Sequence, residues 1–322
     1  MITGRLSALI LAALFTAAGA GAQEFPSKTV RIVAPFPPGG VVDTLGRTLA
    51  PPLNRALGQS VVVENRPGAN TVIGTELVAR APADGHTLLL MAPSFTVNPF
   101  VQSRLPYDPL KDFAAVTRIA YNPLILCVHP SLPVKTVKEL VALARARPGE
   151  LTWGVSSIIG GGRIAGELFR DVAKIDMINV PYGGGAPASI AVIGGHTTML
   201  VGNVLDCSPY LASGRMRAVA VTSAARSEAL PNVPTIAESG YPGFDAINWF
   251  GSMVRAGAPK GAVDRLSAEI GRALQLPEVK SILGNLGLTP AAMSPAEFDA
   301  FIRREMDLNG RIIKRLNLKV AD

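Results

Sequence analysis

Apolar and polar positions along this chain follow two periods. Continuous or β-branched apolar runs at 29–34, 60–64, 87–91, 124–128, 151–155, 177–180, 197–201 and 216–221 carry the signature of buried strands. Helical stretches lie between them at 41–57, 71–80, 136–147 and 163–173. In the third, Val137, Leu140, Val141 and Ala144 fall on one face. Pro51 and Pro52 are expected to kink or split the first helix, because proline lacks an amide proton and crowds the preceding turn. Strand and helix alternate repeatedly, which predicts an α/β fold of parallel sheets with helices on both faces. The pattern restarts after Tyr107-Asp108-Pro109, and the last third is mostly helical, at 262–274, 277–286 and 295–316. There Phe298, Phe301, Ile302, Glu305 and Met306 keep the i, i+3, i+4 spacing of a buried stripe, with the glutamate at its edge.

The N-terminus follows a different logic. Arg5 precedes an uncharged apolar run at 6–18, and Ala20-Gly21-Ala22 supplies small residues at a cleavage site. The run falls short of the roughly 20 residues needed to span a bilayer, so a signal peptide over 1–22 is expected, with a mature periplasmic protein starting at Gln23. A second stretch, 177–205, also lacks Lys, Arg, Asp and Glu, but Pro181, Gly183, Gly184, Gly185 and Pro187 would break a membrane helix there. The 322 residues are 48% hydrophobic and 17% charged, enough for two cores and incompatible with disorder. Two cysteines exclude a disulfide scaffold, and three scattered histidines leave no metal or other cofactor to expect. Whether Cys127 and Cys207 pair is not decided by spacing. The net charge of +7 is dispersed without a basic stripe, which argues against a nucleic-acid partner.

Three glycine-rich loops, at 35–40, 156–162 and 181–186, sit at strand-to-helix junctions. Open parallel sheets bind ligands there, beyond the carboxyl ends of their strands. Glycines allow close backbone approach, and free N–H groups at a helix start attract anions. Converging, the three loops would receive a carboxylate or phosphate. Asp43, in the first turn after the first loop, reads either as a ligand contact or as a helix-dipole residue. Catalytic signatures are missing: there is no Gly-x-Ser-x-Gly, His-Glu-x-x-His or Walker loop. Gly160-x-Gly162-x-x-Ala165 and Gly183-x-Gly185-x-x-Ala188 mimic a dinucleotide fingerprint, but no acidic strand end follows at the usual distance. A binding protein is therefore expected. The alternative is an exported α/β enzyme using a nucleotide, or Ser156 or Ser157 as nucleophile, and neither serine has a histidine near it in sequence.

A series of phrases adds to this reading. They are Val30-Arg31-Ile32-Val33 with Pro35-Phe36-Pro37-Pro38-Gly39-Gly40-Val41-Val42-Asp43, Val62-Val63-Glu64-Asn65-Arg66-Pro67-Gly68-Ala69-Asn70, Ala83-Asp84-Gly85-His86-Thr87-Leu88 and Leu105-Pro106-Tyr107-Asp108-Pro109. Ala165-Gly166-Glu167-Leu168-Phe169, Val180-Pro181-Tyr182, Ala220-Val221-Thr222-Ser223 and Leu230-Pro231-Asn232-Val233-Pro234-Thr235 follow in order. In series they resemble the substrate-binding proteins of tripartite tricarboxylate transporters, the Bug-type receptors, over nearly the whole mature chain.

That resemblance implies a two-lobed periplasmic-binding-protein type II fold, a Venus flytrap of two doubly wound domains closing by a hinge. The first domain would comprise 23–122 and 223–322, the second 123–222, with hinge crossings near 120–123 and 221–225. It implies a monomer that binds a small organic carboxylate without covalent chemistry and hands it to membrane permease subunits. The implied ligand-binding residues are Phe36, Pro38, Gly39, Gly40 and Asp43 from the first loop, and Ser94. Ser156, Ser157, Ile159, Tyr182, Gly183, Gly184, Ala186 and Asn203 face them from the other lobe. Trp249 matches a position near the cleft, or serves the core. Two departures stand out: Ile158-Ile159 replace small or polar residues, and 91–96 lacks the usual glycine and threonine. Both are expected to make the cleft more apolar, suiting an acid with a hydrophobic or aromatic body.

Overall fold

The computed structural model describes residues 25–156, 158 and 160–316, so the expected signal peptide at 1–22 lies outside the described residues. Strands β1 (Val30–Ala34), β2 (Val61–Asn65) and β3 (Thr87–Met91) run parallel in the order β2-β1-β3. The helices that follow them are α1 (Val41–Leu57), α2 (Val72–Ala79) and α3 (Ser94–Val101). Then β4 (Phe113–Val128) runs for 16 residues and serves two neighbourhoods. After α4 (Val137–Ala146) come β5 (Thr152–Val155), α5 (Gly161–Ala173), β6 (Ile178–Pro181), α6 (Gly185–Ile193), β7 (Met199–Asn203), α7 (Val204–Ala212) and β8 (Arg217–Val221). The chain returns through β9 (Ile247–Arg255) and ends in α8 (Lys260–Ala273), α9 (Pro277–Asn285), β10 (Thr289–Pro290) and α10 (Pro295–Leu316).

One sheet holds these strands, in the order β2-β1-β3-β9-β4-β7-β5-β6, with β8 and β10 also paired to β4. The first part of β4 pairs antiparallel with β9, from Phe113 opposite Arg255 to Pro123 opposite Ile247. Its last residues, Leu124 to Val128, pair instead with β7 and β8. β4 therefore passes from one lobe into the other, and β9 re-enters the first.

Each lobe has its own apolar core on both sheet faces. In the first, Leu45, Leu49 and Leu53 of α1 meet Ile32, Leu88 and Leu266, while Val33, Leu89, Phe95, Trp249 and Phe298 fill the opposite face. In the second, strand alternation splits β4: Leu124 and Leu126 point toward Trp153 and Phe169, Ile125 and Cys127 toward Ala188 and Cys207. Both cysteines are free and buried, and burial, reinforced by the neighbouring Cys127, pushes the Cys207 thiol up. The second core also takes Ile236 and Phe244, which lie beyond residue 222. The lobes touch where Ile164 of α5 packs on the pair Val97 and Ile313, and where Arg315 pairs with Asp171 at 2.6 Å.

The prolines do not split α1, contrary to the sequence expectation. The amides they lack would have bonded the carbonyls of Arg47 and Thr48, on the outer side of the helix where water can serve. The buried stripe of Leu45, Leu49 and Leu53 stays intact and holds the helix to the sheet.

Candidate functional site

The topology places the cleft. Met91, last in β3, lies opposite Gly251 of the antiparallel β9, so the start of β9 sits at the carboxyl end of the first lobe's parallel strands. Asn203, last in β7, lies opposite Leu124, so the carboxyl ends of β5, β6 and β7 meet the same crossing from the other side. Residues 120–124 and 247–251 thus floor a cleft on which the carboxyl ends of both half-sheets converge. Helices α1, α3, α5 and α6 begin there, and none has a side-chain cap at its N-cap residue, Gly40, Pro93, Gly160 or Gly184. Each carries the positive end of its helix dipole, and the first-turn N–H groups of α1, α5 and α6 lack intrahelical partners, whereas in α3 Phe95 N and Thr96 N bond Ala92 O and Pro93 O at 3.0 and 3.1 Å.

In the first lobe, Pro38, Gly39 and Gly40 are exposed and Phe36 is half-buried against the core. Asp43, expected either as a ligand contact or as a helix-dipole residue, is engaged within its own loop. It is 4% exposed, and its carboxylate accepts from Gly39 N at 2.9 Å and from Arg47 Nε at 3.0 Å. Arg47 holds its carboxyl below the usual range, so Asp43 is the charged clasp that closes the loop. Asn65 Nδ2 adds a bond to Phe36 O at 3.2 Å.

Ser94 is almost buried, its Oγ 3.3 Å from Thr71 Oγ1. This points to a loop that periodicity does not reveal. Gly68, Ala69, Asn70 and Thr71 have φ of 128°, 46°, 52° and 79°, a left-handed run at the carboxyl end of β2. Three non-glycine residues there store strain, and Asn98 Nδ2 pins the turn through Asn70 O at 2.8 Å. The motif's Gly68 and Asn70 were its sequence signal.

Two further positions lie inside the core. Trp249 is wholly buried between Phe298 and Phe301, with Nε1 donating to Glu305 Oε2 at 3.0 Å, and belongs to the core. The stretch 91–96 likewise turns its large side chains inward. Met91 and Phe95 are buried in the first lobe, Phe95 against Tyr107 and Phe113, and Thr96 is fully buried.

In the second lobe Ser156 is half-buried and Ile158 is 52% exposed; Ser157 and Ile159 lie outside the described residues. Tyr182 is half-buried against Gly154, Gly184 is half-buried, and Gly183 and Ala186 are exposed. Asn203 joins a cluster that sequence spacing does not assemble. Its Oδ1 accepts from Asn122 Nδ2 at 3.0 Å and from Asn248 Nδ2 at 3.3 Å, one residue from each crossing strand. Lone asparagines inside strands, where that residue is disfavoured, were the available signal.

The family model of the tripartite tricarboxylate transporter family receptor matches residues 45–318. The chain belongs to this family. It is 35% identical to Protein BugT of Bordetella pertussis over 97% of this chain and 96% of that one. R. palustris Rpa4515, solved with adipate, is 33% identical with a TM-score of 0.81 over 92% of this chain and all (100%) of that one. MatC of Rhodopseudomonas palustris, solved with bound malate, is 27% identical with a TM-score of 0.76 over 90% of this chain and 100% of that one. The protein is accordingly a periplasmic solute-binding receptor of two-lobed type and not an enzyme, which sets aside the nucleotide and serine readings. Among the described residues no helix is long and apolar enough to cross a membrane.

Beside the receptor's cleft floor, a cavity of about 90 Å³ runs between the lobes, lined by Gly161, Ile164, Leu168, Ile247, Phe301 and Glu305 among others. Burial pushes the Glu305 carboxyl up, an effect only partly offset by the Trp249 N–H. A raised folded value means that the stability linked to this proton is full below the unfolded value of about 4.3 and is lost as pH rises through the folded one. Glu305→Gln keeps an acceptor for Trp249 and removes the charge. It should unfold at higher temperature than wild type at pH 8 and match it near pH 4, as melting curves at both pH values would test. A lower midpoint at pH 8 would contradict the assignment.

Proposed function

We propose that this receptor captures a small organic carboxylate with an apolar body and delivers it, as a monomer, to the permease subunits of a tripartite transporter. The observation that carries this reading is the convergence of four helix N-termini without side-chain caps, two from each lobe, on one floor. Such ends favour anions by dipole and by free N–H groups. Ile158, exposed beside the start of α5, supplies the apolar wall. Adipate in Rpa4515 and malate in MatC agree with an acid as ligand. Among the proposed contacts we keep Phe36, Pro38, Gly39, Gly40, Ser94, Ser156, Tyr182, Gly183, Gly184, Ala186 and Asn203.

We place the lobe crossings at 123–124 and 246–247, because Ile236 and Phe244 pack in the second core and β9 starts at Ile247. Cleavage before Gln23 would release the receptor into the periplasm. The test is a melting screen of refolded protein, from Gln23 onward, against aromatic, dicarboxylic and tricarboxylic acids. A ligand at ~100-fold excess over Kd should add ~2.7 kcal/mol, visible as a raised midpoint. Ile158→Asn should weaken aromatic acids relative to polyhydroxylated ones. No shift with any acid overturns the carboxylate reading, and an unchanged preference in Ile158→Asn overturns the apolar wall.

A further inference from the structure

The asparagine cluster at the crossing has one orientation, fixed from both ends. Asp206 Oδ2 accepts from Asn203 N at 2.8 Å, so that oxygen is an acceptor, and the atom of the Asn203 amide 3.1 Å from it is Nδ2. Asn203 Oδ1 therefore turns toward the crossing strands and receives both Asn122 Nδ2 and Asn248 Nδ2. Asn122 is fixed a second time, because its Nδ2 also donates to Pro123 O at 3.1 Å, and a carbonyl can only accept. Its other amide atom must be Oδ1. Asn122 is 2% exposed, and among the described residues that oxygen has no hydrogen-bond partner.

A buried acceptor without a donor is costly, and it stands here on the cleft floor, opposite Asn248 in the β4–β9 register. Asn248 in turn lies against Gly161, the first residue of α5. The site is thus divided chemically. Helix N-termini around it offer donors to an anion, while the floor offers an acceptor. A cationic donor does not suit that place. Helices of both lobes begin around the floor, Asp206 is occupied by Asn203, Asp43 by Arg47 and Gly39, Glu305 accepts from Trp249 Nε1, and Asp245 accepts from Ala224 N.

We propose that Asn122 is a specificity-determining residue whose Oδ1 accepts a hydrogen bond from a hydroxyl group on the bound acid. The receptor then prefers hydroxy acids to the same acids without the hydroxyl. Asn203 and Asp206 are positioning residues that hold the Asn122 amide in the orientation that leaves Oδ1 unpaired. The inference rests on the carboxylate reading above and deepens it.

The test is calorimetric titration of the refolded receptor with matched pairs: succinate and malate, adipate and hydroxyadipate, phenylpropanoate and phenyllactate, with aspartate as the amino counterpart of malate. In whichever pair binds, the hydroxylated member should bind about 10–100-fold tighter, as expected when a buried acceptor would otherwise stay unpaired. Asn122→Leu, or Asn122→Ser where leucine does not fold, should bring the two members together. Equal affinities within every pair overturn this inference alone and assign the acceptor to a trapped water. A preference that survives in the leucine or serine variant, or aspartate binding as tightly as malate, also overturns it. Binding of no acid in the panel overturns it together with the carboxylate reading.

Discussion

Glu167→Gln should destabilise the receptor by about 3–5 kcal/mol, the usual cost of removing one partner from a buried ion pair. Glu167 has no exposed surface, and its carboxylate meets Arg163 Nη2 at 2.7 Å and Arg170 Nη1 at 2.9 Å. Both guanidiniums also lie near the face of Trp153, at 6.0 and 5.4 Å from the ring centroid. Arg163 is further engaged by Asn179, and Arg170 by Asp176 at 3.1 Å. Glutamine preserves shape but leaves two half-buried cations with no charge between them. Their repulsion acts along α5 from Arg163 to Arg170, in the helix whose start lies at the cleft. Ligand affinity should fall along with stability. Urea unfolding of wild type and variant measures the first, and a loss below about 1 kcal/mol would show that the network is dispensable.

The sequence pattern reads well where burial is uniform and poorly where one residue serves two purposes. β1, β3 and β7 are short apolar runs whose side chains are nearly all buried, and their periodicity shows it. The first part of β4 and β9 are just as firmly paired, yet Arg118 and Asn122 interrupt one and Asn248 and Ser252 the other. Those residues hide the strands from a hydrophobic pattern because the crossing must carry polar groups to the floor. Pro51 and Pro52 misled for the opposite reason, since a strong apolar stripe on α1 outweighs a local backbone defect.

The site was legible by position and only partly by chemistry. Glycine loops at strand ends mark where a cleft lies, because that follows from topology alone. Which side chains face it does not. Asp43 has the charge and place of a ligand contact but spends both on Gly39 and Arg47. Trp249 is two residues from Gly251 on a crossing strand, and alternation alone does not say which face receives Phe298 and Phe301. Asn122, Asn203 and Asn248 come from positions 81 and 45 residues apart along the chain, a separation that only the folded sheet closes.

Two neighbouring glycines in one loop should answer very differently to alanine. Among the described residues a methyl group on Gly183 meets nothing within 4 Å, whereas one on Gly185 would overlap the Asp206 carboxylate. Asp206 cannot step aside cheaply. It holds Asn203 through two hydrogen bonds, and Gly202 closes the space on its other side, where an added methyl group would lie 3.1 Å from Oδ2. Gly185→Ala should therefore cost about 1–3 kcal/mol as overpacking and, by displacing Asp206, release Asn203 from the two crossing strands. Affinity for the bound acid should drop at least about tenfold, equivalent to ~1.4 kcal/mol. Gly183→Ala should unfold at the wild-type urea concentration, and any loss of affinity in that variant would come from the ligand's own contact with the loop. Paired unfolding curves and titrations separate these effects. A Gly185→Ala protein as stable and as tight-binding as wild type would mean that Asp206 does not connect the α6 loop to the crossing.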